Sequence, residues 1–520
     1  MAEIRPNTDW AAPESKLDTL VHVLHYAADR APARTAIICD NQSVTYGEYR
    51  HGVNVLAAQL IARGAAGQRV VVLMTNSIEM SMAIYAIWSI GAATVLLNPF
   101  YTERELAPLI ADAEPKLVLC DANAYEKIQP IAKAAGVAQV VVLGGPGTGF
   151  ADLLRTPDPG APAQLPRPSM LAALQYTGGT TGLPKGAIRT HEELMHTVRL
   201  IDEAWPQRRE GEVWLNVAPQ FHIWGLCMTS IAPVYGRNTL VLMQRFVPDA
   251  VLTAIAKHRV SIFAGGPPAI FNGLMAQPSF RTTDFSSLRM CIGGGASIPI
   301  EIFRAWEAVT KTAICEGYGM SEGSPISLNK SDGTHKVGTV GPVGPGVAVQ
   351  IVDADTGTKV MPTGERGEIR VRGAQMMKGY WRRPEETAAA VRDGWVHTGD
   401  IGYLDADGFI YIVDRKKDMA IVNGYNVFPR EIDEVLFAHP GIQEAAALGV
   451  PDPAKGETIV AYVVVRAGNT LSAEELATYC RERLVKYKVP EKFLLVDALP
   501  RTPAAKIDKR ALRQRTMSGA

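Results

Sequence analysis

The chain has 520 residues, is 47% hydrophobic and balances 53 basic against 53 acidic side chains, too long for one core and evenly charged. That balance gives no ground for a nucleic-acid partner or an anionic membrane surface, and it predicts a water-soluble protein of two or more domains. Cys39, Cys120, Cys227, Cys291, Cys315 and Cys480 have no metal-ligand spacing and read as buried, reduced thiols of a cytoplasmic protein; MAEIRPNTDW lacks the apolar core of a signal peptide.

From Leu17 to Cys120, helical periodicity at 17–30, 46–63, 77–90 and 103–112 alternates with apolar runs at Ala36–Cys39, Val70–Met74, Ala93–Leu97 and Leu117–Cys120. Strand and helix taking turns predict an α/β fold, with parallel strands covered by helices on both faces. Met80 to Leu97 is uncharged for long enough to raise a membrane span. Gly91 interrupts it, and the period changes there from helix to strand, so no transmembrane segment is expected. Gly144 to Gly149 invites a dinucleotide-loop reading, but no helix is expected after it. Five prolines between Pro157 and Pro168 mark a surface linker instead.

A strand-like run, Met170–Leu174, leads into Tyr176-Thr-Gly-Gly-Thr-Thr-Gly-Leu-Pro-Lys185-Gly186. Glycines permit a sharp turn and close approach, while hydroxyls, backbone N–H groups and a lysine donate hydrogen bonds, a combination suited to a polyphosphate. It is not a P-loop, because Leu183 and Pro184 separate Gly182 from Lys185; an ordinary Gly-Thr turn is the other reading. Further on come His222 between aromatic residues, a Gly293–Ala296 turn after an apolar run at Leu288–Ile292, and Glu316–Glu322. Asp405, Asp407 and Gly408 read as a hairpin turn. Asp414–Asp418 is a charge cluster, followed by a helix from about Arg430 and a strand at Ile459–Val465.

YTGGTTGLPKG resembles the signature loop of the adenylate-forming superfamily, which includes acyl-CoA synthetases, peptide-synthetase adenylation domains and beetle luciferases. The resemblance implies that Thr177, Gly178, Gly179, Thr180, Thr181 and Lys185 hold the β- and γ-phosphates of ATP. Phe221 and His222 match the aromatic-His motif beside the acid pocket, with Trp224 and Met228 as lining. Gly293, Gly294, Gly295 and Ala296 match the wall for adenine and the start of the acyl chain. In EGYGMSE, Glu316, Gly317, Tyr318 and Gly319 match the adenine seat, Ser321 the α-phosphate hydroxyl (threonine in most members) and Glu322 the Mg²⁺ ligand.

Asp400 and Arg415 match the two ribose contacts, and Lys417 the hinge between a large domain, 1–416, and a small mobile domain, 417–520. Lys506 resembles the catalytic lysine, with Ala505 where most members have glycine. Gly424 matches the loop that admits the pantetheine arm of coenzyme A, with Asn423 where some relatives have a second glycine. Ile223 to Met228 offers no carboxylate to pair with an ammonium group, so an uncharged tail is expected on the acid.

The implied activity is an ATP-dependent acid–CoA ligase that passes through acyl-AMP. LQYTGGTTG, EGYGMSE and DRKKDMAIVNGYNVFP are most similar to fatty acyl-CoA synthetases, which points to a medium- or long-chain fatty acid. An aryl acid of the benzoate or cinnamate type, or a carrier-protein thiol as acceptor, is the alternative, and a homodimer is compatible with the reading.

Overall fold

The computed structural model describes residues 13–145, 147–177, 184–423, 425–452, 455–502 and 506–518. A six-stranded sheet runs in the order Val140–Val142, Leu117–Cys120, Arg69–Leu73, Ala93–Leu96, Leu171–Tyr176, Gly186–Thr190. Its first five strands are parallel and the last is antiparallel to its neighbour. Val70–Leu73 and Leu117–Cys120 are buried throughout, as strands covered on both faces must be.

The uncharged stretch resolves as expected. Helix Ile78–Ser89 buries every residue but Glu79, Gly91 turns the chain at φ +65°, and strand Ala93–Leu96 follows. A helix apolar all round belongs inside a core. Among the described residues, no helix is long and apolar enough to cross a membrane.

One part of the alternating pattern goes elsewhere. Strand Thr35–Cys39 turns at Asp40 (φ +52°) into an antiparallel strand, Gln42–Thr45, and pairs in parallel with Thr239–Leu242 far along the chain. These strands end an eight-stranded sheet that continues through Val213–Asn216, Ile262–Gly266, Met290–Gly294, Ile314–Met320 and Gly323–Leu328. Helices Leu20–Arg30, Tyr46–Ala62 and Ile78–Ser89 bury their apolar faces in one core with residues of both sheets. Thr45 opens Tyr46–Ala62 with a capping box closed by Glu48.

The glycine-rich segment at 144–149 is followed by a short helix after all, Phe150–Arg155. Its first N–H, on Phe150, donates to the Glu79 carboxylate at 3.2 Å. The end that a nucleotide phosphate would need is therefore already occupied by an anion.

A third sheet, not foreseen, is antiparallel and is built from Ala348–Val352, Gly367–Arg372, Val391–Arg392, Trp395–Leu404 and Ile410–Arg415. The hairpin at 404–410 is as expected: Asp405 accepts the N–H groups of Asp407 and Phe409. Beyond it a separate small C-terminal domain carries its own sheet, dominated by the pair Ile442–Asp452 and Gly456–Val465. Ile432, Leu436, Ala445 and Val463 belong to its own core.

Candidate active site

The sheets and the small domain meet around a cavity of about 280 Å³. Strand Leu171–Tyr176 brings Thr177 to its rim, and the Thr177 N–H donates to the Lys185 carbonyl at 3.0 Å, so the neck of the glycine-threonine loop is closed on a sheet edge. Thr177 and Lys185 both face the cavity. Gly178, Gly179, Thr180 and Thr181 of that loop lie outside the described residues, as does Gly424.

Lys185 stands 5.2 Å from the Tyr380 ring centre, and the Tyr380 hydroxyl donates to the Glu322 carboxylate at 2.7 Å. Ser321 and Glu322 occupy the turn between strands Ile314–Met320 and Gly323–Leu328. That turn is held from behind by Arg189, a fully buried cation that donates to the carbonyls of Ser321 at 3.2 Å and Gln375 at 3.0 Å. Glu193 lies 3.4 Å from the guanidinium. Burial pushes the Arg189 pKa down and the Glu193 pKa up, each partly offset by the other's charge.

Glu322 is a lone carboxylate, and among the described residues no group of three His, Cys, Asp or Glu is placed to hold a metal. Mg²⁺ is ordinarily held by one or two carboxylates, water and substrate phosphates, and Glu322, on the cavity wall, is the carboxylate that could serve in this way.

The buried Tyr318 hydroxyl donates to the Asp400 carboxylate, and Arg415 Nε lies 3.1 Å from the other Asp400 oxygen. Gly317, Tyr318 and Gly319 line the cavity with Ser321 and Glu322.

His222 caps the short helix Ile223–Leu226. Its Nδ1 accepts the Trp224 N–H at 3.3 Å, which leaves the ring proton on Nε2. Burial first, then the nearby Lys506 cation, push the imidazole down to about 3, so this histidine is a neutral donor at ordinary pH. Trp224 and Met228 are on the wall with it. Phe221 is not; its carbonyl accepts from Gln175 at 3.3 Å.

Lys506 reaches into the cavity from the small domain, beside Gly295. Burial, with help from the Arg415 charge, lowers its pKa to about 8. Lys417 is on the same wall. A second cavity of about 530 Å³ shares Gly295, Arg415, Lys417 and Lys506 with the first and takes in Ala296 and, on the small-domain side, Arg430, Glu434 and Arg513.

Three other expected contacts stand behind the surface instead. Gly293 is packed against Ile298 and Ile314, Gly294 lies under the Trp224 ring, and Glu316 is buried with its carboxylate accepting the Ile298 N–H at 3.4 Å. Burial raises Glu316 to about 8, so it supports the 295–298 turn as a largely neutral acid. Arg189, Tyr380 and Trp205 were not singled out in the sequence, although Tyr380 sits in a conspicuous Gly-Tyr-Trp-Arg-Arg run.

Two family profiles match, one described as AMP-binding enzyme over residues 24–381 and one as AMP-binding enzyme C-terminal domain over residues 431–506. The chain belongs to the AMP-binding enzyme family. This AMP-binding enzyme is 35% identical to a long-chain-fatty-acid–CoA ligase of Bacillus subtilis (strain 168), across 95% of its own length and 94% of that protein. It is 34% identical to a feruloyl-CoA synthase of Amycolatopsis sp, across 94% and 97%. MatB from Rhodopseudomonas palustris is similar over 96% of this chain and 99% of its own. The TM-score is 0.88 to the ATP-bound form, at 32% identity, and 0.79 to the apo form, at 33%. The AMP-binding enzyme described here is thus an adenylate-forming acid–CoA ligase, an AMP-forming acyl-CoA synthetase. Its arrangement is nearer to MatB with ATP than to MatB without.

Proposed function

We propose that the cavity joins ATP to a hydrophobic carboxylic acid and that the resulting acyl-AMP is then passed to the thiol of coenzyme A. The observation that carries this is the convergence on one cavity of three distant parts of the chain, His222, the Ser321–Glu322 turn and Lys506. A carboxylate oxygen attacks the α-phosphorus, the bond to the β-phosphate oxygen breaks, and pyrophosphate leaves. His222 Nε2–H orients the attacking carboxylate. Lys506 bridges that carboxylate and the α-phosphate, Ser321 donates to the α-phosphate, and Thr177, Lys185 and the intervening loop hold the leaving group. Glu322 would hold Mg²⁺, which supplies charge neutralisation on the phosphates. Catalysis of this kind is chiefly positioning and electrostatic stabilisation. Asp400 with Arg415 takes the ribose, and Tyr318 the adenine.

The second step needs the thiol where Lys506 stands. We assign the domain boundary and hinge to Lys417, so that the small domain turns, Lys506 withdraws and the Gly424 loop brings in the pantetheine arm.

The acid is uncharged beyond its carboxylate. The Ile223, Cys227, Met228 and Leu328 walls support this, since none could partner a buried ammonium. A fatty acid is the first reading, supported by likeness to the Bacillus ligase. An aryl acid is the second, supported by the 34% identity to the Amycolatopsis synthase and by the Trp205 and Trp224 indoles in the cavity wall. A panel of both acid types, with pyrophosphate release measured without CoA and acyl-CoA measured with it, tests the reading; a holo carrier protein in place of CoA tests the alternative acceptor. No acid-dependent pyrophosphate from any of them would end it.

A further inference from the structure

Resting on the reading of this cavity as the acid site, we infer that Trp205 is the fixed end wall of the acid pocket and restricts the enzyme to compact acids, short or medium alkyl chains and single aromatic rings.

The strand pair Ile314–Met320 and Gly323–Leu328 orders part of the lining: Ser321 and Glu322 occupy its turn, whereas Gly317 pairs with Leu328 at the far end of the ladder, beside the Trp205 ring. Ile201 and Pro325 line the cavity with them, and His222 and Lys506 line it too. An acid whose carboxylate lies at His222 and Lys506 therefore directs its tail toward Trp205.

Trp205 directly follows helix His191–Ala204 and is fully buried. Its indole N–H donates to the Asn329 carbonyl at 2.7 Å. Swinging the ring aside would leave both partners buried and unpaired, so it stays where it is. Gly317 shows how tightly this end is filled. A Cβ there would come within 2.6 Å of the Leu328 side chain and 3.2 Å of the Trp205 ring. Glycine thus lets the Leu328 side chain and the Trp205 indole pack directly against the strand, and together they close this end. The whole cavity holds about 280 Å³, just below the roughly 300–1,000 Å³ usual for ligand sites.

The test uses the full-length protein, a ladder of non-hydrolysable acyl-sulfamoyl-adenosines from butanoyl to hexadecanoyl plus cinnamoyl, and calorimetric affinities, alongside pyrophosphate release with the matching free acids. The wild type should bind best at or below the octanoyl analogue and lose about tenfold or more by dodecanoyl, since a single misfitting methylene is worth roughly tenfold or more. Trp205→Ala should move the optimum to longer chains and raise the dodecanoyl-to-hexanoyl ratio about tenfold, with Trp205→Phe between the two. Ile201→Phe should move it to shorter ones, and it keeps the inference testable if Trp205→Ala does not fold. A wild-type optimum at hexadecanoyl, or a folded Trp205→Ala with an unchanged profile, overturns the inference. The two readings separate cleanly. Analogue binding with a length cut-off but no pyrophosphate sinks the proposed reaction and supports the end wall. Pyrophosphate released equally with all chain lengths does the reverse.

Discussion

The Asp414 carboxylate, on the last strand of the antiparallel sheet, accepts the Arg430 N–H at 2.9 Å in the first turn of helix Pro429–Phe437. A side chain from one side of Lys417 therefore caps a helix on the other, and the Arg430 guanidinium returns the contact by donating to the Ile412 carbonyl. Helix caps are worth about 1 kcal/mol, with a further contribution from an anion at the positive end of the helix dipole. These contacts belong to the arrangement in which Lys506 is inside the cavity. Asp414→Ala should slow acid-dependent ATP–pyrophosphate exchange severalfold while leaving thioester formation from supplied acyl-AMP unchanged or faster. Equal slowing of both would contradict the assignment.

Lys506→Ala should suppress adenylate formation and largely spare the thioester step. The wild type carries a pH signature of the same residue. Its pKa falls from 10.5 to about 8, so the cation is lost as pH rises through about 8, and kcat/KM for ATP should decline there. Stability moves the other way. Between about 8 and 10.5 the unfolded chain holds the proton that the folded chain has released, so this group's contribution to stability rises with pH. A kcat/KM profile flat to pH 10 would remove Lys506 from the first step.

His222 should leave no mark on the same profile. With its pKa lowered to about 3 it stays neutral from pH 5 upward, and no inflection near 6.5 is expected from it. In the unfolded chain it takes a proton below about 6.5, so its contribution to stability falls as pH drops from there toward 3. His222→Ala should lower kcat/KM for the acid by about tenfold to a hundredfold, the worth of one hydrogen bond to a charged group. An unchanged KM for ATP would accompany it.

Arg189→Met strands the buried Glu193 carboxylate and should cost about 3–5 kcal/mol in denaturant unfolding. Adding Glu193→Gln should recover much of that stability, since the buried charge then goes as well. It should not recover activity, because the Ser321 carbonyl would still lack its donor. Chemical denaturation and pyrophosphate exchange on the two variants separate the effects.

Tyr380→Phe removes the donor that fixes one Glu322 oxygen. The Mg²⁺ concentration needed for half-maximal exchange should rise about five- to tenfold, in keeping with roughly 1–1.5 kcal/mol for a hydrogen bond that only orients its partner. An unchanged Mg²⁺ titration would mean that Glu322 does not hold the metal.

Much of the architecture was legible because local pattern and tertiary role agree. The helix and strand at 78–96 follow directly from a change of period at Gly91. Ser321, Arg415 and Lys506 stand out in the sequence as motifs, and all three line the cavity. Less visible was anything decided by distant partners. The Thr35–Cys39 run looks like its neighbours, yet it joins the other sheet. Glu316 shares a motif with the cavity residue Gly317 but its side chain points to the other face of the strand, and Gly293 is covered by Ile298 and Ile314. Arg189 and Trp205 resemble any helix-flanking residues until the carbonyls they hold, on Ser321 and Asn329, are seen.

The parallel pairing of Ile37 with Leu240 also governs how the chain is made. Synthesis at about 5–20 residues per second puts roughly ten to forty seconds between the emergence of the first strand and that of its neighbour. Through that interval an apolar edge waits unpaired, open to nascent chains on adjacent ribosomes. Truncations that stop short of residue 239 should therefore precipitate during translation, and holding chaperones would find their natural client in that early segment.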